Sequence, residues 1–115
     1  MARVTSEIYV SALVRSAFNS GGFAAVLNKG AAEAGAIFIL WRKDFSNLEL
    51  IGPAPQFAYD GSPKRLFERL LNGADDVAIS AKLEKERSYD PDIWIVELET
   101  ITLPDMIEIA KLSDS

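Results

Sequence analysis

Glu84-Lys-Glu-Arg-Ser-Tyr-Asp-Pro-Asp-Ile-Trp-Ile-Val-Glu-Leu-Glu99 is the run on which the reading of the chain turns. Its first half is charged and continues a helical spacing, with Lys82 and Glu86 four residues apart on one face. Asp90-Pro91-Asp92 has to stop that helix, because proline lacks an amide proton and pushes the preceding residue towards extended geometry. An apolar strand follows at once. Trp94, Val96 and Leu98 share one face of it, and Ile93, Ile95 and Glu97 share the other. A helix handed to a strand through a rigid bend, in a chain with no regular strand–helix alternation elsewhere, predicts an α+β fold.

Upstream, Asp75 or Asp76 is placed to cap the helix 75–87, whose apolar contribution is Val77, Ile79 and Leu83. Before it, Ser62-Pro63 reads as a helix start, and Leu66, Phe67, Leu70 and Leu71 as the stripe of a helix 62–72 ending at Asn72-Gly73. Gly52-Pro53-Ala54-Pro55 closes a sheet run. Three strands are expected there, 23–28, 36–42 and 48–51, paired as an antiparallel meander with Lys43–Asn47 as one reversal. Residues 6–19 fit two periods. Val10, Leu13, Val14, Ala17 and Phe18 have helical spacing, while Ile8, Val10, Ala12 and Val14 alternate. The cap at Thr5 or Ser6 and the stop at Gly21-Gly22 favour the helix. Downstream, Thr102-Leu-Pro-Asp105 matches a capping box, which predicts a last helix over 104–111. The expected architecture is one domain over 1–115, a small antiparallel sheet of about four strands (23–28, 36–42, 48–51, 93–99) with three to four helices.

Composition narrows the chemistry. The 115 residues suffice for one core, and 49% of them are hydrophobic, which argues against global disorder. There is no cysteine and no histidine. Disulfides, thiolate or imidazole ligands and the Ser-His-Asp and Cys-His triads are therefore excluded. Net charge is −5, with only short basic clusters at Arg42-Lys43 and at Lys64-Arg65 with Arg69, which disfavours nucleic acid. The N-terminus lacks a signal-like apolar core, and Ala36–Trp41 is too short to span a bilayer. A cytoplasmic protein that does not bind membranes is expected.

Candidate site residues gather at the bend. Glu86, Arg87, Asp90 and Asp92 could form an acidic rim for a hard cation such as Mg²⁺, or divide acid and base roles. The structural alternative is a turn in which Arg87 pairs locally and Asp92 starts the strand. Trp94 and Trp41 could stack on a ligand, but strand positions favour burial, with a partner for each indole N–H. Tyr59 lies in a loop fit to dock a partner as an extended segment, and Tyr89 is a remote acid–base candidate. The glycines match neither the phosphate loop nor the dinucleotide fingerprint, and the acids lack EF-hand spacing.

Gly-Gly-Phe-Ala-Ala-Val-Leu-Asn-Lys-Gly with Ala-Gly-Ala-Ile-Phe-Ile (21–39), Gly-Pro-Ala-Pro (52–55) and Glu-Arg-Ser-Tyr-Asp-Pro-Asp-Ile-Trp-Ile-Val-Glu (86–97) together resemble a family of short alphaproteobacterial proteins known only as a domain of unknown function. Ala31 stands where that family often carries an acidic residue. The resemblance implies a bacterial cytoplasmic origin and brings no activity, substrate or catalytic residue.

The leading expectation is a non-enzymatic binding or protein-interaction module without a cofactor, partnered by further copies of itself or by another protein. If the sheet is covered on one face only, Ile37, Ile39 or Trp41 needs burial elsewhere. The alternative is a small carboxylate-based metal-binding enzyme using Glu86, Asp90 and Asp92.

Overall fold

The computed structural model of the chain describes residues 4–44, 47–55 and 64–110. Helix α1 spans Ser6–Asn19. The Thr5 hydroxyl accepts from the Ile8 amide at its start. At its end the amide of Gly22 donates to Ala17 O and that of Gly21 to Phe18 O, with Gly21 at φ +87°. That left-handed position is the glycine-favouring one of a Schellman stop. Strand β1 (Phe23–Asn28) follows, then β2 (Ile37–Asp44), β3 (Asn47–Pro53), β4 (Leu66–Ala74), helix α2 (Asp76–Tyr89), β5 (Trp94–Glu99) and β6 (Glu108–Ile109).

The strands form one six-stranded mixed sheet in the order β1-β5-β2-β3-β4-β6. β5 runs parallel to β2 and antiparallel to β1, and β6 runs parallel to β4. Alternation along the central strands sends side chains to two cores. Ile37, Ile39, Trp41, Ile51, Phe67, Trp94, Val96 and Leu98 meet Tyr9, Val10, Leu13 and Ala17 of α1. Phe38, Leu40, Leu48, Leu50 and Ile95 meet Ile79 and Leu83 of α2 on the other face. The sheet is thus the middle of three layers.

Four expectations are corrected. The segment predicted as helix 62–72 is strand β4 where it is described; Ser62 and Pro63 lie outside the described residues. Register shifts at Leu48/Glu49 and Leu50/Ile51 break the period of two between β3 and β4. Leu70 and Leu71 both pack towards the α2 core, while Phe67 faces α1. A bulged strand therefore imitates helical spacing. The predicted helix 104–111 is, over its described residues 104–110, instead a turn, in which the Ile107 amide donates to Pro104 O, followed by β6; Lys111 lies outside the described residues. Burial of Ile107 and pairing to β4 outweigh the capping pattern there. The meander is β2-β3-β4, because β5 inserts between β1 and β2. Finally, Ile37, Ile39 and Trp41 are all buried within the chain itself, so that argument for an oligomer falls.

No helix among the described residues is long and apolar enough to cross a membrane.

Candidate functional site

The bend at Asp90–Trp94 is a structural interlock. The Asp90 amide caps α2 by donating to Glu86 O, and the Asp90 carboxylate accepts from the Asp92 amide at 3.0 Å, an Asx-turn. The loop from β1 to β2 crosses over this bend. The Ala31 amide donates to Asp92 O, the Trp94 indole donates to Ala31 O at 2.8 Å, and the Trp94 amide donates to Ala36 O. A Cβ on Gly30 would stand 2.3 Å from Asp92 O, and one on Gly35 2.6 Å from the same atom. The two glycines are therefore required by close approach of backbone to backbone. The same loop closes the start of α1. The Ser6 and Glu7 amides donate to Glu33 O and Ala32 O, and the Ser6 hydroxyl to Gly35 O. One eight-residue connection thus ties helix start, strand start and bend together, which accounts for why these motifs occur in one sequence.

The proposed rim residues are used locally and point to different partners. Glu86 pairs with Lys82 at 3.1 Å, and Arg87 with Glu84 at 2.8 Å, with Asn28 Oδ1 a further 3.5 Å contact. Asp90 is held in its turn, and Asp92 is exposed. Among the described residues no three acidic side chains gather where they could hold a metal ion. Trp94 is buried in the α1 core, and Trp41 is buried with its indole donating to Thr100 O and Oγ1. Tyr59 lies outside the described residues. Tyr89 is exposed.

Two features escaped the sequence. The first is Glu49, whose alternating pattern reads as a solvent position. It is fully buried beside Trp41, pairing with Arg69 and, at 3.5 Å, with Lys43. Its closer partner, Arg69, is 20 residues away on another strand, so no local signal marks it. The second is a cleft of about 470 Å³ at the carboxyl ends of β2 and β5, lined by Gly22, Arg42, Lys43, Glu99, Thr100 and Ile101. Its polar groups are mutually engaged: Arg42 binds Glu97 at 2.9 Å and Asp76 at 3.3 Å, and Lys43 lies 4.9 Å from the Trp41 ring centroid. The Arg42 pKa is pushed up, first by its bond to Glu97 and then by that to Asp76, so the group holds a fixed positive charge.

A further surface feature is the sheet's outer edge. Among the described residues, β1 pairs with β5 on one side only. Phe23, Val26 and Leu27 on it are 45%, 44% and 53% exposed, and the Phe18 ring stands edge-on to Phe23 at 5.7 Å. The opposite edge, β6, has two residues and carries Glu108 paired with Lys64.

Residues 4–108 match the family model described as "Protein of unknown function (DUF1491)". The chain belongs to the DUF1491 family. A protein of A. tumefaciens solved in solution is 42% identical, with a TM-score of 0.84 over 98% of this chain and 99% of that one. A crystal structure of a DUF1491 family protein from Caulobacter crescentus is 28% identical, with a TM-score of 0.76 over 92% and 98% of the two chains. An NMR structure of a DUF1491 family protein from the same organism is 27% identical, with a TM-score of 0.75 over 95% and 98%. No match is found among curated proteins. The DUF1491 match takes in the bend, its crossing loop and the β1 edge, so each belongs to the family's fold; it assigns none of them a function.

Proposed function

We propose that the chain is a non-enzymatic protein-interaction module of the cytoplasm, a single domain that takes up an extended strand along the free edge of β1. The observation that carries this reading is the contrast between the sheet's two edges. Unpaired edges invite further strands, and proteins blunt them by shortness or charge. β6 is blunted in both ways. β1 offers six residues, Phe23-Ala-Ala-Val-Leu-Asn28, without a charge. Strand addition draws its affinity from main-chain bonds and its specificity from exposed side chains, and Phe23, Val26 and Leu27 supply the latter. The lack of histidine and cysteine, and the local engagement of Glu86, Arg87 and Asp90, support a role without catalysis.

A soluble peptide of alternating valine and threonine, titrated into the labelled protein, tests this. Amide signals of residues 23–28 should shift and gain exchange protection while those of α2 stay fixed. A titration to millimolar peptide that leaves 23–28 untouched overturns the reading.

A further inference from the structure

We infer that the strand which adds to β1 is β1 of a second copy of this chain, paired antiparallel about a twofold axis between Ala25 and its copy. This rests on the strand-addition reading and names its partner. Charge is the first argument. The molecule carries −5, so two copies repel over most of their surfaces. From Ser20 to Asn28 there is no charged residue, and this run lies on the longer open edge of the sheet among the described residues. It is where like molecules approach at least cost. A foreign partner selected by charge would find none on the strand itself, with Glu97 and Glu99 on β5 behind it.

Geometry is the second argument. Residues directly opposite one another in an antiparallel pair point to the same face of the sheet. Two copies of one strand meet this condition when the axis is normal to the sheet and passes midway between a residue and its own copy. With Ala25 facing its own copy across the axis, Ala24 stands opposite Val26 of the second copy, and Phe23 is brought against Leu27, the residue at the register shift of β1 against β5. The exposed Phe23 and Leu27 side chains thereby cover each other, an aromatic ring meeting an aliphatic side chain in a favourable cross-strand pair, while the exposed Val26 meets the buried Ala24. The edge-on Phe18 contact holds the Phe23 ring at the strand start before the partner arrives. The contact is isologous and closes at two copies.

The same edge limits its own strength. A register shift lies between Val26 and Asn28, and Lys29 follows. Both devices stop a strand from growing further. A pairing of this length buries less than the roughly 1,200 Å² of a standard stable interface. The dimer is therefore one that forms on concentration and separates on dilution.

Sedimentation equilibrium of the full chain from about 1 µM to about 1 mM, a range spanning about 4 kcal/mol of association free energy, reads the outcome. Wild type should pass from monomer to dimer. Ala25→Lys and Ala25→Glu each set like charges face to face across the axis, and each should weaken association at least about tenfold. An equimolar mixture of the two should restore it, which a foreign-strand site or a misfolded variant would not do. If either Ala25 variant loses its native amide spectrum, Leu27→Lys with Phe23→Glu, both at exposed positions, gives the same complementation. A wild type that stays monomeric throughout overturns the inference, as does a mixture that fails to restore association. Variants that dimerise as tightly as wild type also overturn it, by placing the contact elsewhere. The peptide titration is independent of these results: binding at 23–28 by a monomeric wild type keeps the module reading and removes only the second copy.

Discussion

Tyr9 shows how much one side chain can couple in this fold. Its hydroxyl donates to Met106 O at 2.8 Å, its ring lies 5.8 Å from that of Phe67, and the Arg65 guanidinium sits 5.1 Å from its centroid. Burial pushes its pKa far up, and the positive charge of Arg65 offsets only part of that. The phenol therefore stays protonated in the folded chain after the unfolded chain begins to lose its proton near pH 10. A raised folded pKa means stability that is intact below about pH 10 and lost as pH rises from there, at about 1.4 kcal/mol per pH unit. Tyr9→Phe removes the hydrogen bond and should cost about 1 kcal/mol at pH 7. It also removes the titration, so the gap between variant and wild type should close between pH 10 and 11 in urea unfolding. A gap that stays constant would show that Tyr9 is not the titrating group. At this scale the sequence was legible where chemistry is local. Both tryptophans are buried with bonded indoles, as their strand positions imply, and Asp90 makes the turn that Asp-Pro-Asp suggests. Glu49 was illegible, because its burial depends on Lys43 and Arg69, which other strands bring to it.

Among the elements, α1, α2 and the strands at 23–28, 36–42, 48–51 and 93–99 were readable within a residue or two, since their apolar periods and stops are carried by adjacent residues. β4 was not. Its bulges place Leu66, Phe67, Leu70 and Leu71 at spacings that a helix would also produce, and only its neighbours β3 and β6 select the strand. The end of α2 offers a test between structure and chemistry at the bend. Asp90→Ala deletes the carboxylate that accepts from the Asp92 amide and should lower stability by about 1 kcal/mol, the usual loss for a side-chain-to-backbone bond. Asp92→Asn, at an exposed side chain, should fall within about 0.5 kcal/mol of wild type. Neither should alter a thermal midpoint in a manner that depends on Mg²⁺, Mn²⁺ or Ca²⁺. A cation-dependent rise in wild type that both substitutions abolish would instead restore the metal reading of Glu86, Asp90 and Asp92.

For the molecule as a whole, the decisive event is the insertion of β5 between β1 and β2. Sequence order offers β1 and β2 as neighbours, joined by a short glycine-bounded connection, and nothing local forbids that hairpin. The structure pairs Phe23 with Glu99 and Ile37 with Trp94 instead. The choice is made by burial: Trp94, Val96 and Leu98 pack into the α1 core and Ile95 into the α2 core, and a strand with buried residues on both faces belongs at the centre of a covered sheet, not at an edge. Such long-range pairing pays its loop-closure entropy before any contact is gained, so it ties the N-terminal half's fate to residues far downstream. A chain ending at Asp92 should therefore lack a cooperative thermal transition. Without β5, β1 has no partner, β2 has one bare edge, and Ile37, Ile39 and Leu13 lose the residues that cover them. Adding a synthetic segment of residues 90–110 should recover the transition, because that segment carries β5, Ile107 and the carbonyl that Tyr9 requires. If the shortened chain melts cooperatively alone, β1 and β2 do form the hairpin that their order suggests. In that case β5 would join a sheet already closed without it, and the interlock at Asp90–Trp94 would be a late fastening rather than a condition of the fold.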